Sequence, residues 1–293
     1  MIVNKPLSKF VGKTPLIKIT NNIWAKAEFM NPSGSLKDRM ATNIINQAES
    51  QGLLRIGDTI IEATSGNAGI SFAWLASERG YKIKIVMPSN MSEERKQILK
   101  FYGAELIETP PGDFDGAIKL RDELSKENNW FNPQQFSNPL NIEAHYENTS
   151  VEILDQLNGQ DLSAFVSGTG TGGTLMGCQK RFKEVSKDIK IVAVEPSESP
   201  VMSGGQPGLH GIQGIGDGSK FLVDLNLVDK IYTVTTEESK LKAIELTKNH
   251  GLFVGISSGA NIIAAQKFVE EFNPKGIVVT ILCDRGDRYL SCF

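Results

Sequence analysis

Thr59-Ile60-Ile61-Glu62-Ala63-Thr64-Ser65-Gly66-Asn67-Ala68-Gly69, followed by the apolar residues Ile70, Phe72, Ala73, Trp74 and Leu75, decides the fold. A short β-branched run stops at a threonine-glycine turn, and apolar residues then recur at helical spacing, so one strand feeds one helix through a tight loop. The same order returns at Ala164-Phe165-Val166-Ser167-Gly168-Thr169-Gly170-Thr171-Gly172-Gly173-Thr174, which runs into Leu175, Cys178, Phe182 and Val185. Further strands are predicted over residues 82–87, 105–107, 189–194, 230–234 and 276–282, with helical patterns between most of them. Repeated strand-helix units specify an α/β protein with mainly parallel sheets. Ahead of the series, residues 16–19 and 23–29 read as a hairpin turning at Asn21-Asn22, with Trp24, Lys26 and Glu28 alternating against Ala25, Ala27 and Phe29. The stretch from Glu195 to about Val228 has no clear period, and loops that long often serve an active site.

The chain has 293 residues, enough for two modest domains or one large one. With 31 basic against 34 acidic side chains, its net charge of −3 cannot neutralise a nucleic-acid backbone, which leaves a small molecule as the expected partner. Cys178, Cys283 and Cys292 are odd in number and lack Cys-x-x-Cys spacing, and His145, His210 and His250 show no metal-ligand pattern. Neither a disulfide framework nor a metal site is expected. Residues 1–6 lack the apolar core of a signal peptide, and the longest apolar run, 277–283, is far short of the ~20 residues a membrane helix needs. A cytoplasmic location is the expectation.

Four segments could carry chemistry. In Asn31-Pro32-Ser33-Gly34-Ser35-Leu36-Lys37-Asp38-Arg39, turn residues lead into a helix marked by Met40, Ile44, Ile45 and Ala48. Lys37 falls in its first turn, where the positive end of the helix dipole favours a neutral amine suited to Schiff-base chemistry. Taken alone, such a lysine is more often simply solvated. Residues 64–69 open a helix after a strand, as an anion site or a plain cap would. In residues 168–174, four glycines and three threonines favour a phosphate cradle, with converging backbone N–H groups and added hydroxyls. That run also matches G-x-G-x-x-G at Gly168, Gly170 and Gly173, and with Glu195 after the next strand it supports a rival reading as a dinucleotide-dependent oxidoreductase. Gly255-Ile256-Ser257-Ser258-Gly259-Ala260 precedes another helix, where either serine would serve as a cap. A non-catalytic amino-acid-binding module is the other alternative of a different class.

Together and in this order, the four segments resemble the cysteine synthases (O-acetylserine sulfhydrylases) of the tryptophan-synthase-β group of pyridoxal-phosphate enzymes. The likeness runs from Gly12-Lys13-Thr14-Pro15-Leu16 through Gln135-Phe136-Ser137-Asn138-Pro139 and Gln213-Gly214-Ile215-Gly216 to Asp284-Arg285-Gly286-Asp287-Arg288-Tyr289-Leu290-Ser291. It implies pyridoxal 5'-phosphate as cofactor, Lys37 as the lysine that holds it and acts as general base, and Asn67 on its ring hydroxyl. It implies Gly170, Thr171, Gly172, Gly173 and Thr174 as the phosphate loop and Ser257 facing the pyridine nitrogen. Thr64, Ser65, Gly66, Asn67, Gln135 and Gly214 correspond to groups that hold the substrate.

The implied fold is that of type II: two three-layer α/β domains with the cofactor in the cleft between them. Residues 36–140 would form a smaller mobile domain, and residues 1–35 with 141–293 a larger one whose sheet the hairpin joins. The implied reaction replaces the β-substituent of O-acetylserine or O-phosphoserine by sulfide or thiosulfate, through α-aminoacrylate, in a homodimer. Cystathionine β-synthase and serine or threonine dehydratases share the same lysine and loop. The ending Cys283–Ser291 resembles the B-type isoform, whereas 195–200 and 203–205 resemble the A-type, which binds a serine acetyltransferase; Ala68 stands where threonine is usual.

Overall fold

The computed structural model describes residues 6–64 and 66–293. In chain order its strands and helices are β1 (Leu16–Lys18), β2 (Ile23–Ala27), α1 (Lys37–Ser50), β3 (Thr59–Ala63), α2 (Asn67–Arg79), β4 (Lys82–Pro88), α3 (Glu93–Phe101), β5 (Glu105–Thr109), α4 (Phe114–Asn128), α5 (Pro139–Ala144), α6 (Ser150–Leu157), β6 (Leu162–Gly168), α7 (Gly173–Val185), β7 (Lys190–Pro196), β8 (Lys230–Val234), α8 (Thr236–His250), α9 (Ile256–Phe272) and β9 (Ile277–Leu282).

The strands form a six-stranded sheet in the order β1-β2-β9-β6-β7-β8 and a three-stranded sheet in the order β3-β4-β5. Apart from the β1–β2 hairpin, the pairings between these strands are parallel. The mixed α/β class and the predominance of parallel strands thus match the sequence expectation. The hairpin joins the larger sheet through its second strand, Ile23–Ala27 lying beside Val278–Leu282. All six residues of β9 are buried, as a strand covered on both faces requires; its one hydroxyl, Thr280 Oγ1, donates to the Val166 carbonyl at 2.8 Å. Separate apolar clusters line the two faces of the large sheet, one around Phe165, Phe182 and Ile281 and one around Val194, Ile262 and Phe268. A third, around Ile44, Phe72 and Ile85, packs α1 and α2 onto the small sheet.

The second hairpin strand ends at Ala27, two residues before the pattern suggests, and Glu28–Met30 turn into a short 3-10 helix. Buried ionic bonding accounts for the change. Glu28 turns inward to meet Arg39, whose Nε and Nη2 each lie 2.7 Å from its carboxylate, and Thr14 Oγ1 donates to it at 2.6 Å. Lys26 is fully buried as well, with Nζ 2.7 Å from Glu152 and 2.9 Å from Gln156. The polar face of this strand therefore meets α1 and α6 rather than water.

Candidate active site

The loops that follow β3 and β6 open onto one cleft, where four helices begin. Lys37, Asn67 and Gly173 are the first residues of α1, α2 and α7, and Ser257 is the second of α9. Unpaired N–H groups at helix starts give such a place a positive potential. It suits a phosphorylated ligand and disfavours a lysine's charged form. One cavity joins Lys37, Asn67, Gly170, Thr171, Gly172, Thr174, Gly214 and Ser257. A second extends from Lys37 and Asn67 to Thr64 and Gln135.

Local bonding explains how Lys37 reaches this position. Ser35 forms a bridge to Asp284, and Leu36 N–H donates to the Cys283 carbonyl at 2.9 Å, which fastens the turn to the end of β9. Asp38 then folds back from the first helical turn, accepting from Ser33 N–H and Ser71 Oγ at 2.6 Å each. Lys37 is thus not paired with its neighbour Asp38. Its Nζ makes no hydrogen bond or ion pair with a described residue, and burial lowers its pKa below the ordinary lysine value against the pull of Cys283, Asp217 and Asp284. Burial likewise pushes the Cys283 thiol up to about 12, so it stands beside the lysine as a neutral group.

The glycine-threonine loop has the form of a phosphate seat. A Cβ on Gly170 would lie 2.5 Å from the Gly214 carbonyl, and one on Gly172, whose φ is +89°, would lie 2.6 Å from Val223. Only glycine allows the chain to pass there. The N–H groups of Gly170, Thr171, Gly172 and Thr174 find no acceptor among the described residues, so a phosphate would satisfy donors the fold leaves open. The residues present therefore fit pyridoxal phosphate: an amine whose pKa burial lowers, an anion cradle and, at Ser257, a buried hydroxyl. Behind the loop, His145 is held neutral, burial taking its pKa down to about 3, with its ring nitrogens 2.8 Å from Thr149 Oγ1 and 3.2 Å from Thr174 Oγ1.

At the Thr64 and Gln135 end of the cleft, Thr64 Oγ1 accepts from Gly66 N–H at 3.0 Å; Ser65, predicted as part of this loop, lies outside the described residues. Gln135 is buried, its side chain donating to the Ala63 carbonyl at 2.9 Å and its N–H to Glu62 at 3.1 Å. Asn67 donates to Asp284 at 2.6 Å and accepts from Arg288, and Tyr289 donates to the same Asp284. The C-terminal tail thus fixes the Asn67 amide while leaving it one N–H for a ligand.

Glu195 is committed elsewhere. Its carboxylate accepts from Met202 N–H at 2.7 Å, Ser203 N–H at 2.9 Å and Ser203 Oγ at 2.5 Å, which closes a local turn and leaves no ribose-binding acid. The dinucleotide reading is overturned on this ground. Sequence reasoning also missed Asp217, which lines the inner cavity near Lys37 and whose carboxyl burial raises above the usual range. Its only sequence signal is its setting, Gly214, Gly216 and Gly218, each with positive φ.

A lysine-bearing cleft beside a glycine-threonine loop with open N–H groups has the features that a pyridoxal-phosphate enzyme requires. The family model described as "Pyridoxal-phosphate dependent enzyme" matches residues 7–284, and the chain belongs to this family. It is 43% identical over 296 residues to a cysteine synthase of Staphylococcus aureus, covering 97% of this chain and 95% of that one. Among solved structures, it superposes on O-ureido-L-serine synthase with a TM-score of 0.94 at 35% identity, over 100% of this chain and 95% of the other. The O-acetylserine dependent cystathionine beta-synthase of Helicobacter pylori gives a TM-score of 0.93 at 38% identity, over 100% and 99%. Among the described residues no helix is long and apolar enough to cross a membrane.

Proposed function

We propose that this pyridoxal-phosphate enzyme is a cysteine synthase, replacing the acetyl group of O-acetylserine, or the phosphate of O-phosphoserine, by sulfide or thiosulfate. The observation that carries this reading is the Lys37 amine, which is unpaired among the described residues, in one cavity with residues 170–172 and 174, whose N–H groups stand open, and the Ser257 hydroxyl. Pyridoxal phosphate, when bound, supplies an electron-withdrawing ring that acidifies the α-proton of an attached amino acid. Lys37, Asn67, Ser257 and the loop Gly170, Thr171, Gly172, Gly173 and Thr174 would hold it.

Lys37 takes the α-proton as general base, a role that its burial-lowered pKa favours. Thr64, Ser65, Gly66, Asn67, Gln135 and Gly214 receive the substrate, its carboxylate at the start of α2, where the dipole favours an anion. Ser257 is neutral and cannot keep a pyridine nitrogen protonated as a carboxylate would, which favours loss of the β-substituent over transamination. Residues 36–140 would act as the smaller domain and close on the bound carboxylate to exclude water. An unchanged scattering profile on adding substrate contradicts that closure. A cytoplasmic homodimer completes the proposal.

A larger thiol as donor, as in a cystathionine synthase, is favoured by one further feature. Beyond Gly214 and Asp217 the cleft widens into a mouth of about 430 Å³, lined by Asn90, Phe114, His210 and Gln213 among others. Assays of O-acetylserine, O-phosphoserine and serine with sulfide, thiosulfate or homocysteine, read by product, decide between the donors. Absence of any sulfur-containing amino-acid product would overturn the synthase reading.

A further inference from the structure

Asn141, the third residue of α5, stands between the substrate side of the cleft and the phosphate loop and has no part in the chemistry above. It is buried, and its side-chain Nδ2 lies 2.9 Å from the Gln135 carbonyl and 2.9 Å from Thr171 Oγ1. A carbonyl can only accept, so the atom facing Gln135 must be the amide nitrogen rather than the oxygen. That same nitrogen cannot accept from Thr171. The threonine oxygen is therefore an acceptor toward Asn141, and it accepts more weakly from Gly173 N–H at 3.4 Å. The single hydroxyl proton of Thr171 has no acceptor among the described residues and is left for the cavity that Thr171 lines.

The other end of the amide is fixed as well. A Cβ on Gly173 would lie 1.9 Å from Asn141 Oδ1, so that glycine is what lets the side chain fit against the loop. Asn138 caps the start of α5 by accepting from Leu140 N–H at 3.0 Å, which places Asn141 one turn inside.

We propose that Asn141 is a positioning residue: by donating to Thr171 Oγ1 it compels that hydroxyl to act as a hydrogen-bond donor to the cofactor phosphate, and by donating to the Gln135 carbonyl it fixes the direction of its own amide. This role presupposes the phosphate seat proposed above. Its signature is specific, because it concerns the phosphate alone and not the pyridine ring or the lysine.

The test compares the affinity of the full-length chain for pyridoxal phosphate with that for pyridoxal, which lacks the phosphate. The variants are Asn141→Leu, Asn141→Asp, Thr171→Val and Asn141→Leu combined with Thr171→Val. The expected result is a fall of roughly tenfold or more in the ratio of the two affinities for each single variant, the scale of one hydrogen bond to a charged group. The double variant should fall no further than either of its parents. Equal weakening toward both ligands would reduce Asn141 to a packing role and overturn the proposal, as would effects of Asn141→Leu and Thr171→Val that multiply. Should neither Asn141 variant fold, Thr171→Val decides alone, and an unchanged ratio overturns the assignment. A wild-type chain that does not prefer pyridoxal phosphate over pyridoxal would instead remove the phosphate seat itself.

Discussion

Replacing Arg121 by leucine should expose how the substrate side of the cleft is held. Arg121 on α4 lies 2.7 Å from Glu62 Oε1, and both side chains are buried. Glu62 also accepts from Ala63 N–H at 2.8 Å and Gln135 N–H at 3.1 Å, so its carboxylate anchors the chain that carries Gln135. Taking away one partner of a buried pair strands the other charge, at a cost of about 3–5 kcal/mol, or roughly 5–8 °C in thermal midpoint for a chain of this length.

The sign of the pH dependence follows from Glu62. Burial already pushes its carboxyl above the ordinary range, with Arg121 pulling the other way, and loss of the arginine raises it further. The folded state then holds a proton that the unfolded chain releases, so stability falls as pH rises above the unfolded carboxyl's value. The deficit of Arg121→Leu should be largest near about pH 8 and shrink toward about pH 5.5, and adding Glu62→Gln should recover much of it. Thermal melts of the cofactor-loaded protein at both pH values measure this. A loss under about 1 kcal/mol at the higher pH, or a loss that does not vary with pH, would refute the reasoning.

Lys37→Ala should remove nearly all turnover and the visible absorbance of the lysine-bound cofactor; a spectrum and an activity assay check both, and borohydride reduction of the wild type should mark Lys37 alone. Ser257→Asp should lower β-elimination by giving the pyridine nitrogen an anionic neighbour, and wild-type turnover would remove the reasoning for a neutral hydroxyl there. Gly170→Ala should weaken cofactor retention about tenfold or more on dialysis, since its Cβ would meet the Gly214 carbonyl at 2.5 Å and force two loops apart.

Much of this protein is legible in one dimension. Strands such as Thr59–Ala63 and Lys230–Val234 appear at their predicted bounds because short β-branched runs flanked by turn residues depend mainly on local preference. Lys37, Asn67 and the glycine-threonine loop are legible for a related reason: each sits at the start of a helix, and helix starts leave a local signature.

What the sequence by itself determined was the order of strands and helices, the α/β class and the short motifs that bear Lys37 and the glycine-threonine loop. Only the tertiary structure decided that Glu195 closes its own turn, that Lys26 and Glu28 lie in a buried ionic cluster, that Asp217 lines the cleft, and that Asn141 and Asp284 bond to the cleft residues Thr171 and Asn67. The reason is physical. A backbone preference is set by neighbours along the chain, whereas the partner of a buried polar side chain is whichever group the folded sheets bring within about 3 Å, here across the 217 residues that separate Asn67 from Asp284.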